Sequence, residues 1–171
     1  PPATAHAAAK RSMPSWMRSD RIGIARQPGA DRAAAMDYIF LDACALIYQV
    51  ERVAPWAARL AGRLAELHRQ FPQARLAISD LSRMECRVRP LRDGDRALLA
   101  AYDRLFGAAA LEVRPLTPAV IDLATAIRAR SGLRTPDALQ AASCLSLPGP
   151  ALFVTGDAGF RREAALTVEL I

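Results

Sequence analysis

The stretch YIFLDACALIYQV, residues 38–50, decides how the chain is read. Tyr38 to Leu41 form a continuous apolar run of the kind found in strands buried on both faces. Asp42 ends that run, and a second apolar run from Ala43 to Tyr48 starts at once and predicts a helix over 43–52. A carboxylate hemmed in by so much hydrophobic sequence is costly to bury. It therefore needs a partner, and the rest of the chain has to supply one.

Working outward, strand and helix signals alternate. PWAARLAGRLAELHRQF, 55–71, carries Trp56, Leu60, Leu64 and Leu67 at helical spacing behind a proline at its start. ARLAIS, 74–79, reads as a second strand, and Ser79 is placed to cap a helix over 80–88 that Pro90 is expected to end. Leu98, Leu99, Tyr102, Leu105 and Phe106 mark an amphipathic helix over 93–109. LEVRPL is a third strand. Thr117-Pro118 opens a helix over 118–131 that Gly132 closes, and Thr135-Pro136 opens another over 136–147. ALFVT is a fourth strand, DAGFRREA a short helix and LTVEL a last strand. Strands separated by helices predict an α/β fold with a parallel sheet covered on both faces.

Composition sets the outer limits. The 171 residues, 52% hydrophobic and 23% charged, suffice for one domain with a core, and no apolar run reaches the roughly 20 residues a membrane helix needs. The net charge of +6 is concentrated in residues 1–35, where Lys10, Arg11, Arg18, Arg21, Arg26 and Arg32 face only Asp20 and Asp31. That segment, rich in Ala, Arg and Pro, reads as a disordered extension. It has no apolar core of a secretory signal, and its two acids argue against a transit peptide. Met36, just before the first strand, is a candidate native start. Cys44, Cys86 and Cys144 are widely spaced and odd in number; they read as small buried apolar side chains in a reducing, cytoplasmic setting.

Four acids share an unusual context. Asp42 follows the first strand, Glu85 lies on the helix after the second, Asp137 sits in the first turn opened by TPD, and Asp157 follows the fourth strand. Ligands of open parallel sheets bind beyond the carboxyl ends of strands, where strand order reverses. If the first and fourth strands are neighbours, Asp42 and Asp157 converge there. Gathered carboxylates repel unless a cation lies among them, and hard oxygen donors favour Mg2+ or Mn2+. Taken singly, each acid also has a plain structural role: Asp137 complementing a helix dipole, Asp157 capping a helix, Glu85 on a solvated face.

At these residues the chain resembles the PIN-domain family, and within it the VapC-type toxins of type II toxin–antitoxin pairs. The resemblance spans about residues 37–171 and rests, in order, on YIFLDACALIY, ISDLSRMECRVRPL, LRTPDALQAA and LFVTGDAGFRR. It implies a three-layer α/β/α fold with a five-stranded parallel sheet and Mg2+- or Mn2+-dependent endoribonuclease activity. Its acidic quartet maps onto Asp42, Glu85, Asp137 and Asp157, as both metal ligands and catalytic residues. Thr155 matches a hydroxyl residue often found beside the last acid and is a candidate substrate contact. Gly156 stands where the family often has Asn, and Ala43 where Thr or Ser is common.

Arg87, Arg89, Arg134, Arg161 and Arg162 lie near the acids in sequence and are candidates for contacts to RNA phosphates. Tyr48 and Trp56 could stack a base, but core packing is the better reading of them. The toxin reading implies a VapB-type antitoxin partner, a homodimer formed through helices near 56–71 and 80–106, and no membrane association. Three alternatives remain at this point. One is a PIN nuclease of RNA processing outside any toxin–antitoxin pair, and another a catalytically inactive PIN fold serving as an interaction module. The third, a receiver-like or phosphatase-like domain, is disfavoured because Ala43-Cys44 follow Asp42 where a DxD signature is expected.

Overall fold

A computed structural model describes residues 35–171. The extension read over 1–35 lies outside the described residues except at its last position. Five strands form one sheet: β1 Tyr38–Leu41, β2 Arg75–Ser79, β3 Leu111–Arg114, β4 Ala151–Thr155 and β5 Thr167–Leu170. Their order is β3-β2-β1-β4-β5, and every pairing is parallel. The helices between them are α1 Ala43–Val50, α2 Trp56–Gln70, α3 Asp80–Asp93, α4 Arg96–Phe106, α5 Pro118–Ser131 and α6 Thr135–Leu145, with a 3-10 turn at Ala158–Arg162.

Alternate residues of β1 point into two separate cores, which is why its sequence is apolar without interruption. Tyr38 and Phe40 pack with Phe153 against Val120, Ala124 and Ile127 of α5 and the alanines of α6. Ile39 and Leu41 pack with Val154 against Leu46, Leu60, Leu67 and Tyr102 on the other face. Phe40 stacks on Phe153 at 5.4 Å between ring centroids, and Phe153 meets Phe160 at 4.5 Å. The three-layer α/β/α architecture with five parallel strands is the one expected.

Strand order reverses between β1 and β4. From β1 the chain winds outward through β2 to β3, then returns to place β4 on the other side of β1. The register Leu41↔Val154 sets Asp42 directly beyond one strand end and Gly156-Asp157 beyond its neighbour.

Several local expectations need correction. Pro90 does not end its helix: α3 continues to Asp93 with Pro90 inside it and buried. A proline there removes one backbone hydrogen bond, but its ring packs in the interior. The helix stops instead at Gly94, whose φ of 69° is left-handed. Helix α4 therefore starts later than expected, at Arg96, with the Asp95 carboxylate accepting from the Leu98 amide at 2.9 Å. Thr135 does not cap α6; Arg134 occupies the cap position without a side-chain bond, and the Thr135 hydroxyl accepts from Arg128 at 2.8 Å. The segment after β4 is a 3-10 turn rather than an α-helix. Ser79 and Thr117 cap as read, accepting from Leu81 and Val120, and Gly132 closes α5 at a φ of 68°.

Candidate active site

Asp42 and Asp157 lie beyond the neighbouring ends of β1 and β4. Asp42 is only 8% exposed. Its Oδ1 accepts from the Ala43 amide at 2.7 Å, which caps α1. Its Oδ2 accepts from the Thr155 hydroxyl at 2.9 Å and from the Cys44 thiol at 3.2 Å. Burial nevertheless holds the Asp42 carboxyl above the usual carboxylate range; these three donors pull it back, and the negative charge of Asp137 pushes it further up.

Thr155 ties the two strand ends together. Its hydroxyl donates to Asp42 and accepts from the Asp157 amide at 3.0 Å, so the polarity of the chain of bonds is fixed. The Asp157 carboxylate accepts from Gly159 at 2.7 Å and caps the 3-10 turn, leaving it exposed at the rim. Thr155 is fully buried, which makes it a support for the acids rather than a surface for substrate.

Glu85 comes from α3 and Asp137 from the first turn of α6; both are half-buried. Burial raises the Glu85 carboxyl above its ordinary value, a hydrogen bond from Gln140 lowers it, and the charges of Asp42 and Asp137 raise it again. Asp42, Glu85 and Asp137 thus feel one another's charge. Among the described residues, none of the four acids has an Arg, Lys or His within ion-pair distance. Asp42, Glu85 and Asp137 are hard oxygen donors with no basic side chain beside them among the described residues, a donor set whose chemistry suits Mg2+ or Mn2+. As placed, no group of three His, Cys, Asp or Glu among the described residues is arranged to hold a metal ion. Gripping a common ion therefore requires rearrangement from this geometry.

Two sequence expectations change here. Cys44 is not an inert apolar filler: it donates to Asp42, accepts from the Gly156 amide at 3.2 Å, and has its thiol pushed up to about 12 by burial and by the Asp42 charge. Cys86 and Cys144 are buried as expected. The arginines also divide. Arg89 is engaged by Glu51, and Arg87 lies 3.5 Å from Asp103. Arg162 donates to the Gly159 carbonyl at 3.1 Å. Arg134 and Arg161 are exposed and make no side-chain hydrogen bond or ion pair among the described residues.

Gly156 has a steric reason. A Cβ there would lie 3.1 Å from the Tyr48 hydroxyl and 3.2 Å from its ring. Tyr48, stacked on Trp56 at 5.6 Å, occupies the space a larger residue would need. Sequence reasoning missed Gln140, whose amide reaches Glu85. The signal was a polar residue three positions after Asp137, repeated after a further three at Ser143.

Comparison with known proteins agrees with this architecture. Residues 39–166 match the PIN domain, and the chain belongs to the PIN-domain family. PIN domains are, as a family, divalent-metal-dependent nucleases. No curated protein matches the chain. Among solved structures it is similar to VapBC2 from Rickettsia felis, bound to a DNA fragment from its promoter: 18% identity, 78% of this chain, 98% of that chain and a TM-score of 0.61. It is also similar to VapBC-1 from nontypeable Haemophilus influenzae: 19% identity, 78% of this chain, 97% of that chain and a TM-score of 0.58. At such identities the likeness is one of fold. No helix among the described residues is long and apolar enough to cross a membrane.

Proposed function

We propose that the chain is the toxin of a type II toxin–antitoxin pair, an endoribonuclease that hydrolyses RNA phosphodiester bonds with Mg2+ or Mn2+. The observation that carries the reading is that Asp42, Glu85 and Asp137 lie within electrostatic reach at the β1/β4 switch point, with Asp157 beyond the neighbouring strand end, and that none of the four has a basic partner among the described residues. Asp42, Asp137 and Asp157 would hold the main ion, and Glu85 would share a second or orient the attacking water. A bound divalent ion supplies an acidified water and neutralises charge on the phosphodiester. Thr155 and Cys44 fix Oδ2 of Asp42 at the strand end. Arg134 and Arg161 are free to meet RNA phosphates; Arg87 and Arg89 would first have to leave their carboxylates. His68 is exposed on α2 and has no histidine partner among the described residues, so a paired-histidine ribonuclease is not supported.

The VapBC neighbours support a VapB-type antitoxin as partner. A homodimer is supported by Met84, Val88 and Leu91, which are 60%, 54% and 59% exposed along one face of α3, inside the segment expected to dimerise. The test is induced expression of wild type and Asp42→Asn with 5′-end mapping of total RNA. Wild type should create new 5′-phosphate ends at defined sites. Asp42→Asn should lose them by about 100-fold or more, at or beyond the upper end for disturbing a metal site. Equal cleavage by the variant would remove Asp42 from the site.

A further inference from the structure

Helices α3 and α6 meet through a buried polar seam. On α3 and its cap, Ser79, Ser82 and Glu85 recur every third residue; on α6, Asp137, Gln140 and Ser143 do the same. The two series run in opposite directions. The hydroxyls of Ser79 and Ser143 lie 2.9 Å apart. Next along, the Gln140 amide nitrogen donates to Ser82 Oγ at 3.0 Å and to Glu85 Oε2 at 2.8 Å. Glu85 and Asp137 form the open end. Ser79, Ser82 and Ser143 are fully buried and Gln140 is 2% exposed, so their partners come from the protein rather than from water.

This geometry fixes the amide. Both of its N–H bonds are used, one on each neighbour. Turning it over would set its carbonyl oxygen against the Glu85 carboxylate, with two acceptors facing each other. A buried seam of this kind also resists sliding, because a shift of one residue would strand several polar groups at once. The seam therefore locks the register of α3 against α6, and its end sets where the Glu85 carboxylate stands relative to Asp137.

We propose that Gln140 is a positioning residue: anchored on Ser82, it fixes where the Glu85 carboxylate stands, so that the rearrangement needed to grip an ion falls on the other acids. This rests on the reading of Glu85 as a metal ligand. Gln140 meets neither ion nor RNA and acts only through Glu85.

The test is a double-mutant cycle read by Mn2+ affinity, from calorimetry on the intact protein, with circular dichroism and melting as controls for folding. Gln140→Met keeps the volume and removes both donors. It should weaken Mn2+ binding by about 10–100-fold, the usual effect of losing a partner of a metal ligand. In a Glu85→Gln background the same change should have almost no further effect. Ser82→Ala, a smaller perturbation, should give a lesser loss that also disappears in Glu85→Gln. Unchanged affinity in Gln140→Met and Ser82→Ala, or an equal loss in both backgrounds, would overturn the role of Gln140 and leave the metal pocket standing. If wild type bound no Mn2+, the metal reading would fail and this inference with it. Unchanged affinity in Glu85→Gln alone would refute both the ligand role of Glu85 and the positioning role of Gln140.

Discussion

Asp42 is an anion that the folded chain tolerates rather than welcomes. Its carboxyl is raised above the unfolded value of 3.8, chiefly by burial. The protonated form therefore fits the fold better, and the stability it contributes is fully present below that ordinary value and lost as pH rises through the raised one. Glu85 behaves the same way. Two outcomes follow at this scale. Asp42→Asn should raise the melting temperature at neutral pH and flatten its dependence on pH across the acidic range, as thermal melts at a series of pH values would record. Added Mn2+ should raise the melting temperature of wild type, since a ligand that binds only the folded state stabilises it. The same addition should leave Asp42→Asn almost unchanged. Asp42, Asp137 and Asp157 stood out in sequence because each follows an apolar strand or opens a helix, whereas Glu85 lies within α3 and was singled out by the motif around it. Cys44 was not, since a thiol beside a carboxylate looks no different in sequence from a thiol in a core. Its role came from Asp42, Thr155 and Gly156 meeting in space.

Elements were legible where a residue's own chemistry decides the boundary and obscure where tertiary packing overrules it. Ser79, Thr117 and Gly132 act as their side chains or their lack of one dictate. Pro90 misleads because its penalty is local, whereas burial of its ring depends on the whole layer. The helix stops four residues later at Gly94, a residue type that takes a φ of 69° without strain. Gly94→Ala should cost about 1–2 kcal/mol, the penalty of a left-handed conformation for a residue with a Cβ. Urea denaturation would measure it, with the midpoint lowered and the slope unchanged. The seam between α3 and α6 was written in the sequence as two polar series of period three, but its pairing depends on a contact between residues more than fifty positions apart.

At the scale of the molecule, the alternation of strands and helices foretold a parallel sheet, while the order of its strands became certain only once β4 was seen beside β1. The site depends on that order, because it is what brings Asp42 and Asp157 to neighbouring strand ends. Phe153 of β4 is fully buried, stacked on Phe40 and tilted against Phe160. Phe153→Ala should cost about 3–5 kcal/mol of stability, read by denaturant unfolding. On the outer surface, Val88→Asp on the α3 stripe should convert the proposed dimer to a monomer in sedimentation velocity without changing the fold.

The central claim is that carboxylates from distant parts of the chain grip one divalent ion at the β1/β4 switch point. Anomalous diffraction from crystals soaked in Mn2+ tests it most directly. The predicted result is a manganese peak bonded to carboxylate oxygens of Asp42, Asp137 and Asp157, with Glu85 beside it. A peak elsewhere, or none at saturating Mn2+, would contradict it.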